Sequence, residues 1–353
     1  MRILYGVCGE GLGHAMRSRV VGEYLESQGH RIMFVSSGRA EEYLRKRWPN
    51  STWPVVGLAS ALRHNHVLPA QTLAQNVFRM VAGGGWNAVM MMKAMSYNPH
   101  VIISDFDPFS ARHAMFTGTR LIAIDNIHFM NRCQHPPEIV NKDRAAAALM
   151  FPVVSEMVPF ASRYFVTTFV DAPVRIEPTE LHHPILRPKI LRAKTTERAN
   201  HVVGYFNDKA DHALRISVLK QMPDIQFRLY GMRGVEREVR DGNVTLCPVG
   251  EELFISDLAC ARAVISGAGF TLMTEAIYLG IPMMATPYGG HFEQILNAEY
   301  LEHLGYGERA CDFTVDGVRS FLARSPSYAK NMQAYQHDGN RALLTAVRDE
   351  LRQ

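Results

Sequence analysis

At 353 residues the chain is long enough for two domains of ordinary size, each with its own core. Hydrophobic content of 47% and charged content of 20% exclude a disordered chain and a membrane-embedded one, and a net charge of only +4 without a long Lys/Arg block argues against a nucleic-acid partner. Five scattered cysteines, Cys8, Cys133, Cys247, Cys260 and Cys311, form no C-x-x-C pair, which favours reduced thiols in a cytoplasm over disulfides or structural zinc. An apolar run follows Met1-Arg2 at once, so no signal peptide is expected. The most apolar windows, Met80 to Met95 and Ala145 to Ala161, are broken by Gly or Pro before reaching the roughly 18 residues of a membrane span. A cytoplasmic protein is expected, with peripheral contact at the inner membrane face left open.

Ile3 to Val7 reads as a buried strand, Gly9 to His14 as a glycine turn, and Met16, Val20, Tyr24 and Leu25 as the apolar face of a helix that ends at Gly29. Arg31 to Ser36 completes a βαβ unit. A dinucleotide fingerprint is excluded, because its third glycine would fall on His14 and the second strand ends without an acidic residue. No P-loop spacing occurs either. What remains is Gly-x-Gly-x-Gly-His-x-x-Arg, which puts His14 and Arg17 together at a helix start. Pro54 to Leu58 reads as a strand, His64-Asn65-His66 as a loop, and Gln71 to Met95 as a helix interrupted at Gly83 to Gly85. The group Met80, Met90, Met91, Met92 and Met95 fits core better than a greasy acceptor or membrane-facing surface. Val101 to Ile103 and Leu121 to Ile124 are strands, and Asp105 and His128 follow them, at the rim where ligands bind in α/β sheets. Asp107 fits the cap of the next helix. No metal-ligand spacing is present, so no metal is expected.

Tyr164 to Val170 reads as the last strand of the first half, and the Pro-rich, charged segment 172–198 as a linker. A second βαβ series then starts at His201 to Tyr205, with a helix near Ala210 to Gln221 and strands at Gln226 to Tyr230 and Val244 to Cys247. Ala263 to Ile265 leads into the turn Ser266-Gly267-Ala268-Gly269, whose backbone N–H groups at a helix start make a seat for phosphate. Glu275 lies further along that helix, where a carboxylate could accept from both hydroxyls of a ribose. After the Gly280, Pro282 break, Glu293, Gln294 and Asn297 open another helix with side chains suited to hydroxyl groups. Ser327 to Leu351 is helical in pattern.

The pattern Gly267, Gly269, Thr271, Glu275, Gly280, Pro282, Pro287, Glu293, Gln294, Asn297, Ala298 and Gly305 resembles the donor region of GT-B glycosyltransferases. The likeness is to the branch of the UDP-glucuronosyltransferases and the peptidoglycan N-acetylglucosaminyl transferase (the UDP-glycosyltransferase / family 28 branch), and the opening Gly13-His14 turn resembles the same branch. The resemblance implies an α/β, GT-B fold of two doubly wound, Rossmann-like domains facing across a cleft. The expected units are an acceptor half at 1–186, a donor half at 187–335 and a C-terminal helix, 336–353, that packs back on the first domain. It implies a donor site of Gly13, Ser266, Gly267, Ala268, Gly269, Thr271, Glu275, Val249, Glu293 and Gln294. In it Glu275 contacts ribose, the glycine turn contacts diphosphate, Glu293 and Gln294 contact the sugar, and Val249 lies where the base binds. His14 is implied as general base, since imidazole accepts a proton near neutral pH, with Asp105 orienting it or touching the acceptor. Arg17, suited to steering either diphosphate or an acidic acceptor, and His128 are assigned to the acceptor side. The implied reaction is an inverting, metal-independent transfer from a nucleoside diphosphate sugar, UDP-linked in that branch, to a hydroxyl on a glycan, a lipid-linked or a small-molecule acceptor. It needs no cofactor. The same fold also serves sugar-nucleotide epimerases and would serve a non-catalytic binder of nucleotide sugars. One departure is the loop Gly204-Tyr205-Phe206-Asn207-Asp208, which lacks the Gly-Ser-rich turn of the peptidoglycan enzyme.

Overall fold

A computed structural model describes the chain except residues 60, 64–65, 194–196, 207–211, 233 and 311. The loop at His64-Asn65, the Asn207-Asp208 turn, the start of the helix near Ala210 and Cys311 therefore lie outside the described residues. Strands β1 (Arg2–Val7), β2 (Arg31–Ser36) and β3 (Thr52–Pro54) are followed by a small antiparallel ribbon, β4 (Leu62–Arg63) and β5 (His66–Val67). Strands β6 (Val101–Asp105), β7 (Leu121–Asp125), β8 (Arg163–Thr167) and β9 (Thr179–His182) complete the first half. Its parallel seven-stranded sheet has the order β3-β2-β1-β6-β7-β8-β9. The second half contributes β10 (His201–Tyr205), β11 (Gln226–Tyr230), β12 (Val239–Asp241), β13 (Val244–Leu246), β14 (Ala263–Ser266), β15 (Met283–Ala285) and β16 (Gly307–Arg309). They form a second sheet, β12-β13-β11-β10-β14-β15-β16, in which β12 alone is antiparallel.

The central strands are short apolar runs because both faces are covered by helices. Ile3, Leu4, Tyr5 and Val7 of β1 are fully buried, as are Val202 and Val203 of β10. Register then sets the site. Val7 pairs with Asp105, and Tyr205 pairs with Ser266, which pairs with Ala285. The C-terminal ends of the middle strands are therefore level in each sheet, and the glycine turns that leave them sit side by side.

Several details differ from the sequence reading. Thr179–His182, inside the segment read as a linker, is the edge strand of the first sheet, where Pro178 costs no ladder bond. The strand read at Tyr164 to Val170 stops at Thr167, and the one read at Pro54 to Leu58 is Thr52–Pro54. The helix Pro69–Tyr97 runs through Gly83 to Gly85 without a break. Gly83 is there for space, since a Cβ would stand 2.6 Å from a Val56 methyl. Of its methionines, Met90 is core and Met80, Met92 and Met95 are exposed.

At the C-terminus a helix, Val315–Asn331, ends before the break at 335–340, and a second helix follows, Arg341–Leu351. Leu343, Val347 and Leu351 pack into the cluster of Ile3, Phe34 and Ile185, on the first domain. Asn340 fixes the crossing by exchanging two hydrogen bonds with the backbone of Leu186, at 2.9 and 2.8 Å. Among the described residues, no helix is long and apolar enough to cross a membrane.

Candidate active site

The turn after β1 is drawn over β6 by a backbone bond from Cys8 N–H to the Asp105 carbonyl, 3.0 Å. The helix Gly13–Ser27 therefore begins above the Asp105 side chain, ninety-one positions away in sequence. Asp105 is completely buried. One carboxylate oxygen lies 2.8 Å from His14 Nδ1, and the other accepts from Arg17 Nε at 2.7 Å and Ser18 Oγ at 2.9 Å. Burial alone would raise this carboxyl, but Arg17 and His14 beside it hold it down at about 2. It is ionised and accepts only, so the proton between it and His14 sits on Nδ1. The Arg17 Nη2 to His14 Nδ1 approach of 2.6 Å is then a close contact, since that guanidinium already has Asp105 Oδ1 as acceptor. His14 Nε2 has no hydrogen-bond partner among the described residues, on a side chain that is 14% exposed.

Arg17 is not available to a substrate as its acceptor-side assignment requires. It is buried and spent on Asp105 and on the Asn126 side-chain carbonyl. Burial disfavours its charge, and the Asp105 carboxylate more than restores it. Asn126 in turn donates to Glu293 at 2.9 Å. A polar chain thus runs from His14 through Asp105, Arg17 and Asn126 to Glu293 in the second domain. Asn126 lies at the same strand end as Asp125, so the rim rule that singled out Asp105 and His128 reaches it as well. His128 does not face a cleft. Its ring is buried between Phe106 and Tyr164, with Nδ1 on Asp125 at 2.7 Å, because the short helix Phe129–Arg132 turns it into the core.

In the second domain, the helix Phe270–Leu279 starts at Gly269, which is exposed and gives no side-chain cap, so among the described residues its first N–H groups are left for an anion. Ala268 before it has φ of +60°, and Asn297 Nδ2 holds its carbonyl at 3.2 Å. Phe106, after Asp105, has φ of +53°. Non-glycine left-handed residues are costly and gather at ligand clamps, and here one borders each half of the cleft. Ser266 is buried and donates to the Tyr205 carbonyl; Gln294 Oε1 accepts from Tyr288 N–H at 3.0 Å. Gly267 has room beside Tyr288 and Gln294, and Val249 is an exposed side chain in the turn before the helix Glu251–Cys260. Gly13 abuts Thr271 across the domains, so that a Cβ on it would stand 2.6 Å from Thr271 Oγ1.

Glu275 is placed differently from the ribose reading. It is 1% exposed, and both its oxygens accept from Arg187, each at 2.7 Å. Arg187 also reaches Glu251 at 3.1 Å. Burial disfavours the guanidinium's charge, and the two carboxylates raise its affinity for the proton well above the ordinary value. Arg187 carried no sequence signal: it lies between Leu186 and Pro188 in the segment joining the two sheets, and only the fold brings it to Glu275.

The chain has relatives over most of its length. Residues 1–326 match the family model described as "Glycosyl transferase family 1". A Methanosarcina acetivorans protein named "Uncharacterized glycosyltransferase" is 23% identical over 338 residues, 87% of this chain and 85% of that one. A second, from Methanosarcina mazei and of the same name, is 22% identical over 342 residues, again 87% and 85%. Among solved structures, the glycotransferase of kitacinnamycin superposes with a TM-score of 0.66 at 18% identity, covering 99% of this chain and 98% of that one. Phytolacca americana UGT2, solved with UDP-2fluoro-glucose and pterostilbene, does so at 0.66 and 14% identity, with the same coverage. Two level sheets with their glycine turns apposed are the GT-B architecture, and with the family match over nearly its full length the chain belongs to glycosyl transferase family 1, as a transferase of that fold.

Proposed function

We propose that the chain moves a sugar from a nucleoside diphosphate sugar, UDP-linked by analogy with the donor bound in the plant structure, to an acceptor hydroxyl with inversion. The observation that carries this is the His14 and Asp105 pair, in which a buried carboxylate 2.8 Å from Nδ1 leaves Nε2 as the base. Nε2 takes the hydroxyl proton as the acceptor oxygen bonds to the anomeric carbon, and the bond from that carbon to the diphosphate breaks with its electron pair leaving on phosphate. Asp105, a positioning residue, fixes the tautomer and stabilises the imidazolium that forms. The free N–H groups at Gly269 to Thr271 receive the departing charge, so this reading needs no metal or cofactor. Glu293, tied through Asn126 and Arg17 to the His14 cluster, suits the sugar hydroxyls.

The test is nucleoside diphosphate release from UDP-, dTDP- and GDP-sugars with a panel of alcohol and phenol acceptors, comparing wild type with His14→Ala. Turnover should fall about 10²- to 10⁴-fold while donor binding by calorimetry is kept. Equal turnover in the variant removes His14 as base; conversion of the sugar nucleotide alone into an epimer, without acceptor, replaces the transferase reading with an epimerase.

A further inference from the structure

Asn126, in the turn that follows β7, has a buried side chain whose two ends are not interchangeable. Arg17 only donates, so the side-chain oxygen of Asn126 must face the guanidinium. The amide nitrogen is then left to donate to Glu293 Oε1, at 2.9 Å. Arg17 also donates to Asp105, and Asp105 meets His14 Nδ1 at 2.8 Å. Each link therefore has one direction: imidazole to carboxylate, guanidinium to carboxylate and to amide oxygen, amide nitrogen to carboxylate. Arg17, Asp105 and Asn126 are buried, whereas His14 and Glu293 are partly exposed. The chain is shielded from water in its middle and open at both ends, one in each domain. Glu293 is among the charges that stabilise the Arg17 guanidinium, so the far end is felt at the near one.

Both ends of the Asn126 to Glu293 bond are rigidly mounted. Asp125 accepts from His128 N–H at 2.9 Å and meets His128 Nδ1 at 2.7 Å, and the backbone carbonyl of Asn126 accepts from Phe129 N–H at 3.2 Å. The buried His128 thus holds the turn that presents Asn126. Glu293 lies in the first turn of the helix Phe292–His303, which packs on the first domain. Phe292 meets Phe151 with ring centres 5.6 Å apart, and Tyr300 meets Phe129 at 5.7 Å, its hydroxyl 2.9 Å from His135 Nδ1. Phe129 starts the short helix after Asn126, so the bond joins two elements that pack on each other. A hydrogen-bond chain with fixed supports and a dry middle passes a displacement of one end to the other instead of relaxing into water.

We infer that Asn126 is a positioning residue of the transfer: it ties His14 to Glu293, so that the base is aligned when Glu293 of the second domain is in place. The inference rests on the transfer reading given above. Asn126→Asp tests it, because that side chain still accepts from Arg17 but has no hydrogen to give Glu293. The first readout needs no substrate. The downfield proton NMR signal of His14 Nδ1–H, identified by its loss in His14→Ala, should shift or broaden at pH 8 in Asn126→Asp and in Glu293→Ala. It should stay in place in Glu293→Gln, whose side-chain oxygen can still accept from Asn126. The second readout is steady-state transfer. Asn126→Asp should lower kcat about 10- to 100-fold while the donor KM changes by no more than about threefold, since the phosphate turn at Gly267 to Gly269 is untouched. An unmoved signal in Asn126→Asp or in Glu293→Ala overturns the inference, as does a loss that falls on KM with kcat intact. A signal that moves as far in Glu293→Gln also overturns it, because the link would then be charge and not the bond. If the signal responds as stated but wild type transfers to no acceptor, the tie between Asn126 and His14 stands and the transfer reading falls.

Discussion

Replacing Glu275 by Gln separates two roles for a residue of the helix Phe270–Leu279. In the structure its carboxylate is a buried partner of Arg187 through two 2.7 Å bonds, with Glu251 as a weaker, half-exposed second partner at 3.1 Å. Gln keeps the shape but removes the charge that balances a guanidinium only 6% exposed. Breaking a buried pair on one side costs about 3–5 kcal/mol, and Glu251 should bring the loss to the lower end, about 3 kcal/mol. For a domain of about 150–250 residues that is a fall of about 6–12 °C in Tm. Differential scanning calorimetry on the free protein reads it directly. The double variant Arg187→Met, Glu275→Leu should recover most of the loss, because an apolar pair of similar volume is about as stable as a buried ion pair. A Glu275→Gln protein with wild-type Tm but weakened nucleotide-sugar binding would refute the argument, and would return the carboxylate to the ribose.

Other consequences follow from the same geometry. Gly13→Ala places a methyl 2.6 Å from Thr271 Oγ1, so it should cost about 1–3 kcal/mol by thermal melt and slow turnover, and Thr271→Ala in the same chain should restore much of both. Asp105 has a folded pKa of about 2, below its ordinary 3.8, so its contribution is complete above about pH 4 and is lost as pH falls toward 2. Asp105→Asn should flatten that limb of a stability-against-pH curve, and an unchanged limb would count against the Arg17 and Asp105 pair. Asp107 has the opposite sign. Burial, with Asp105 beside it, pushes its pKa up to about 6, so wild type should lose stability as pH rises from 4 through 6, by up to about 1.4 kcal/mol per pH unit. Asp107→Asn, which keeps the acceptor for the Ser110 N–H, should remove that slope in urea melts taken across the window.

Periodicity and turn chemistry were enough to read two βαβ series, the two glycine turns and the place of His14 at a helix start, because buried parallel strands and helix starts leave local marks in residue order. The family resemblance rested on those same marks. Pairings across long stretches of chain were not legible. Asp105 reaches His14 only because β1 and β6 are neighbours in the sheet, and Arg187 reaches Glu275 only because the segment between the two sheets passes over the helix Phe270–Leu279. Exposure was equally hidden: Arg17 and His128 have the composition of ligand contacts, yet the sheet buries both, while the methionine-rich helix, which reads as core, turns much of its apolar surface outward. A side chain's type is set in the sequence. Which partner meets it, and whether water does, depends on strand order and helix rotation, which are properties of the packed chain.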